Sequence, residues 1–99
     1  MTPTDALTQG CEDPDVARRR AAKLIADAFA GRESYWTYRA WKLLVELLAT
    51  AAVAGGGADS IRTDLFHAPE GTRVEICVRG TVLEALAHYS AFRKPGAPG

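Results

Sequence analysis

The sequence predicts an α+β fold of order α-α-β-β-α: a helical hairpin and a C-terminal helix packed on a two-stranded antiparallel β-hairpin. Three observations predict it. Residues 14–30 and 35–54 carry apolar side chains at helical spacing, each stretch with a capping residue before it and glycine after it. Beyond Gly55-Gly56-Gly57 the apolar period shortens to alternation, in Ile61–Phe66 and again in Arg73–Arg79. Thr81-Val82-Leu83-Glu84 then has the form of a capping box that opens a last helix.

Residues 1–12 read as a flexible leader, in which Thr4-Asp5-Ala6-Leu7 has the material for one helical turn before Gly10. Asp13-Pro14 opens the first helix. Aspartate caps well, and proline suits the first helical position because the N–H it lacks would go unpaired there. Ala17, Ala21, Leu24, Ile25, Ala28 and Phe29 form its apolar stripe, and Gly31 supplies the stop. The helix is expected to run to about Ala30.

Ser34 caps the second helix, which Gly55-Gly56-Gly57 ends. Its polar residues Arg39, Lys42, Glu46 and Thr50 make one narrow stripe, and the rest of its circumference is apolar or aromatic. The short link Arg32–Ser34 makes it an antiparallel partner of the first helix. One helix covers only one side of it, so the second helix is expected in the middle of the fold, with Trp36 or Trp41 near-fully buried.

In the hairpin, Ile61, Thr63 and Leu65 would share one face with Val74, Ile76 and Val78. A two-residue Pro-Glu loop is excluded, because proline fixes φ near −65° and the tight hairpin turn needs positive φ. A four-residue loop over 69–72 sets Leu65 beside Ile76 and Thr63 beside Val78, which keeps one face apolar. The last helix is expected from Thr81 to about Arg93, with Leu83, Leu86, Ala87 and Ser90 inward. Residues 13–94 would form one domain and Pro95–Gly99 a disordered tail.

Ninety-nine residues suit a single small domain, and a hydrophobic fraction of 47% gives it material for a core. Twelve basic and twelve acidic residues cancel, which argues against a dedicated binder of nucleic acid or anionic membrane. Met1–Gln9 carries neither a basic nor an apolar signal region. The apolar run 43–54 is 12 residues long and contains Glu46, short of the roughly 20 that span a bilayer. Cys11 and Cys77 lie too far apart for a ligand motif and read as free thiols in a reducing compartment. The expected location is cytoplasmic, with no membrane contact.

No motif for catalysis, metal or phosphate is present. Glu84 and His88 stand one turn apart, the arrangement of a carboxylate-oriented base, and equally of an ordinary helix surface. Cys77, Asp64 and a histidine could ligate a metal only if the fold happened to bring them together. Gly55-Gly56-Gly57 lacks the lysine and the strand–helix context of a phosphate loop. No cofactor and no catalytic residue is expected.

Tyr35, Trp36, Tyr38 and Trp41 at the head of the second helix are core material or anchors of a protein interface. The expected function is therefore a small non-catalytic protein–protein interaction module, self-associating as a homodimer and contacting another protein. A first alternative uses Arg18, Arg19, Arg20 and Lys23 as a nucleic-acid-binding face. Between Asp13 and Lys42 seven basic residues outnumber four acidic ones, and such a face gives salt-dependent, sequence-independent affinity. A second alternative is a small enzyme or ligand binder with a pocket near Trp41 and His88.

Overall fold

Capping chemistry sets where the first two helices begin. The computed structural model describes residues 7–30, 32, 34–68 and 71–92. Helix α1 (Pro14–Ala28) starts with Pro14 in the first turn, and the Asp13 carboxylate accepts from the Asp15 amide at 2.9 Å. It ends at Phe29, whose amide donates to the Ile25 carbonyl. Ala17, Ala21, Leu24 and Ile25 are its buried face.

Helix α2 (Tyr35–Ala54) begins at Ser34. The Ser34 hydroxyl accepts from the amides of Trp36 and Thr37, and the Thr37 hydroxyl accepts from the Ser34 amide at 2.7 Å. Two first-turn donors and the cap's own amide are thereby satisfied. At the other end Gly55 takes φ +77° and Gly56 donates to the Ala51 carbonyl at 2.7 Å. A side chain at 55 would strain that left-handed position. A Cβ at Gly56 would lie 2.3 Å from the Ser60 hydroxyl.

The second half of the chain overturns the expected α+β order. Among the described residues there are four helices and no strand. Helix α3 (Ala58–Phe66) replaces the first expected strand, and helix α4 (Arg73–Phe92) absorbs both the second strand and the last helix. The physical reason lies in the spacing. Ala58, Ile61 and Leu65 are separated by three and four residues, so they share a helical face as readily as Ile61 and Leu65 share a strand face, and they are the buried residues of α3. Thr63, expected inward on a strand, is exposed and donates to the Asp59 carbonyl at 2.9 Å, a bond of the helical i−4 kind. In α4, Val78, Val82, Ala85 and Leu86 are buried at helical steps, whereas Val74 and Ile76 face solvent.

The cap chosen for α4 is also different. Thr72-Arg73-Val74-Glu75 is a capping box, and it opens the helix. The later box at Thr81–Glu84 lies inside the helix, where the Thr81 hydroxyl bonds back to the Cys77 carbonyl at 2.9 Å. The expected loop at 69–72 falls partly outside the described residues, as do Gly31, the first leader residues and the tail.

Helix α2 packs against α1, α3 and α4 and keeps one side, with Tyr35, Lys42, Glu46 and Val53, exposed. Helix α4 packs on α1, α2 and α3. Helix α3 turns away from α2 by 119° across the glycine link. Thr37, Ala40, Leu44, Leu48 and Ala51 of α2 point into the core they share. Residues 7–12, expected as part of a loose leader, form turns in which Leu7, Thr8 and Cys11 are buried. The Thr8 hydroxyl donates to the Gly56 carbonyl at 2.7 Å, which ties these turns to the α2–α3 link. Among the described residues no single helix is long and apolar enough to cross a membrane.

Candidate interaction surface

The head of α2 carries a cluster of aromatic and cationic side chains. The rings of Tyr35 and Trp36 meet edge to face with centroids 5.1 Å apart, and Tyr38 stacks on Trp41 at 6.2 Å. Helical steps of four bring cations onto the tyrosines. The Arg39 guanidinium lies 5.6 Å from the Tyr35 ring centre and the Lys42 ammonium 5.7 Å from that of Tyr38. Arg39 also donates to the Tyr35 hydroxyl at 2.6 Å. These contacts hold the rings in place on the surface rather than beneath it.

Neither tryptophan is near-fully buried, contrary to expectation. Trp36 is 39% exposed, and Tyr35 and Tyr38 are more than half exposed. Trp41 is half-buried on the α1 side, where its indole N–H donates to the Arg18 carbonyl at 3.1 Å. The reason is angular. The core-facing residues Ala40, Leu44, Leu48 and Ala51 define one side of α2, and Tyr35 and Tyr38 lie on the opposite side, while both tryptophans fall on the flanks.

Two surface depressions adjoin the cluster. A groove of about 280 Å³ between α1 and α2 is lined by Ile25, Thr37, Tyr38 and Trp41 among others. His88 is not among its lining residues, so this groove is not the alternative pocket near both Trp41 and His88. A second cleft, of about 430 Å³, lies between α2 and α4 and is lined by Arg39, Lys42, Leu43, Glu46, Glu75, Val78 and Arg79. Hydrogen bonds from the Thr72 amide and then from its hydroxyl hold the Glu75 carboxyl below its ordinary pKa.

The arginine run is divided among several tasks. Arg18 pairs with Asp15, and Lys23 with Asp27 at 3.3 Å. Arg20 turns back on the N-terminal turns and donates to the carbonyls of Leu7 at 2.7 Å and Gln9 at 3.2 Å. Three consecutive residues point in three directions around a helix, so the run does not make one face, and Arg19 is exposed without sharing these contacts. Cys11 is buried and Cys77 exposed, and both are free thiols. Burial raises the pKa of Cys11, partly offset by Arg20. Among the described residues no three of His, Cys, Asp and Glu converge as metal ligands.

Sequence reasoning missed four exposed apolar side chains: Val53, Phe66, Val74 and Ile76. Val74, Ile76 and Phe66 fall in the expected strands, and Val53 on the apolar circumference of α2. Its position about three turns after Lys42 and about five after Tyr35, on their side of the helix, was the available signal. Compared with known proteins, the chain matches no family model, no curated protein and no solved structure.

Proposed function

We propose that this chain is a small non-catalytic interaction module that works in the cytoplasm, associates with itself and presents the head of α2 to a protein partner. One observation supports this reading above the others: Tyr35, Trp36 and Tyr38 stand exposed together, braced by Arg39 and Lys42. Tyrosine, tryptophan and arginine are the residues that most often dominate the energy of protein interfaces. Bracing lowers the entropy lost when they dock. Single exposed apolar residues are ordinary, but two ring pairs at one end of a helix, bordered by charge, favour a contact site.

A nucleic-acid reading of Arg18, Arg19, Arg20 and Lys23 has less behind it. Two of the four are paired with aspartates and Arg20 is engaged with backbone carbonyls. The test is tryptophan fluorescence over a dilution series from high micromolar to nanomolar concentration. Self-association that covers Trp36 gives a red shift on dilution, at the same midpoint in the presence of DNA or RNA. An emission maximum that is constant on dilution and moves only on adding polyanion, with a steep salt dependence, would favour the arginine face.

A further inference from the structure

The outward side of α2 carries a symmetric pattern. Tyr35, Arg39, Lys42, Glu46, Ala49 and Val53 follow one another at steps of four and three, which is the spacing of a coiled-coil seam. All six lie opposite the buried residues Leu44, Leu48 and Ala51, and Tyr35 and Val53 at its two ends are 56% and 77% exposed. Among the described residues neither Lys42 nor Glu46 has an ion-pair partner on another helix. Lys42 and Glu46 therefore lack a charge partner on another described helix, while Arg39 and Ala49 are partly buried and Arg39, Lys42 and Glu46 border the cleft that faces α4.

We propose that this seam packs antiparallel on the α2 helix of a second copy of the chain, with Lys42 of each copy against Glu46 of the other. The inference rests on the self-association reading above and gives it a surface and a register. A twofold axis level with Leu44 sets Tyr35 against Val53, Arg39 against Ala49 and Lys42 against Glu46, each pair occurring twice. The large ring thus meets a branched aliphatic residue, and the long arginine stem lies over a small one.

Charge selects this arrangement over its competitors. A parallel pairing sets Lys42 against Lys42, Arg39 against Arg39 and Glu46 against Glu46. An antiparallel slip of one heptad in one direction sets Arg39 against Lys42. The slip in the other direction places Lys42 on Val53 and Glu46 on Ala49, and leaves Tyr35 without a partner. Only the stated register matches opposite charges and covers both apolar ends. Such pairs act chiefly by penalising wrong partners and registers.

The test is a charge-exchange experiment read by sedimentation equilibrium at moderate salt. Lys42→Glu and Glu46→Lys each make the seam self-repelling, and each should raise the dimer Kd by about tenfold or more. The double variant Lys42→Glu/Glu46→Lys should return to near the wild-type Kd. An equimolar mixture of the two single variants should form mixed dimers. Both positions are exposed, and circular dichroism checks that each variant keeps its helices. If the wild type dimerises and both single variants dimerise equally well, this register is overturned while self-association stands. If the wild type stays monomeric at high micromolar concentration and the mixture does too, both readings fall together.

Discussion

The amide of Thr72 donates to Oε1 of Glu75 at 2.7 Å, and the amide of Glu75 donates back to the Thr72 hydroxyl at 3.2 Å. The Thr72 carbonyl takes the first helical bond of α4, from Ile76 at 3.0 Å. This pair sets where α4 begins. Thr72→Ala should lower stability by about 1 kcal/mol, as lost caps do, measured by urea unfolding at neutral pH.

The same contact makes a pH prediction. The Glu75 carboxyl has a lower pKa folded than unfolded, because the Thr72 amide and hydroxyl favour its ionised form. Its contribution is thus fully present above the unfolded glutamate pKa and is lost as pH falls through the folded one. Glu75→Gln keeps an acceptor that does not titrate. The stability difference between wild type and Glu75→Gln should be flat near neutrality and change below the ordinary glutamate range, in the direction of wild-type loss. Parallel acid profiles would show that the contact is not formed in solution.

Helix α4 runs unbroken through Gly80, and a Cβ there would meet nothing within 4 Å. Gly80→Ala should therefore stabilise the protein by about 0.5–1 kcal/mol, through the entropy that glycine loses in a helix interior. A rise in Tm of several degrees is the expected readout. A fall would mean that the chain turns at Gly80 instead of continuing.

The two N-terminal helices were legible because their signals were local and unambiguous. Asp13-Pro14 and Ser34 each satisfied first-turn amides, and the α1 stripe from Ala17 to Ile25 fits no other period. The second half was not legible for a stated reason. Val74, Ile76 and Val78 alternate and are β-branched, which favours a strand locally. What overrides this is Val78 joining Val82, Ala85 and Leu86 in one buried helical stripe, with Ile76 left 54% exposed. Gly80 beside Thr81 imitated a boundary, and two capping boxes competed for one helix. The aromatic site was legible in its residues but not in its burial, because which flank α1 and α4 would cover depended on α3 and α4 being helices.

Burial separates the side chains of α2 in a way that mutation should reproduce. Leu48 is fully buried, and Leu48→Ala should cost about 2–5 kcal/mol. Trp36, at 39% exposed, should cost under about 1 kcal/mol as Trp36→Ala, despite its size. Chemical unfolding of the two variants at a concentration where both are monomeric checks the contrast. A larger cost for Trp36 than for Leu48 would contradict the placement of α2.

The two thiols should behave differently. Cys77 is exposed and Cys11 is buried with its thiol pKa raised by that burial. A thiol reagent at neutral pH should modify one cysteine quickly and the second only on unfolding, two per chain in all. Fast modification of both would mean that the turns over residues 7–12 do not hold Leu7 and Cys11 in the core.

Self-association through the outward side of α2 is the central claim, and mass in solution tests it most directly. Light scattering coupled to size exclusion, over a series reaching high micromolar concentration, should give a weight-average mass that climbs from 10.6 kDa toward twice that value. The Tyr35→Ala/Tyr38→Ala variant, altered only at exposed positions, should keep its helical content and stay at the single-chain mass. A wild-type mass that remains at 10.6 kDa throughout the series would contradict the account.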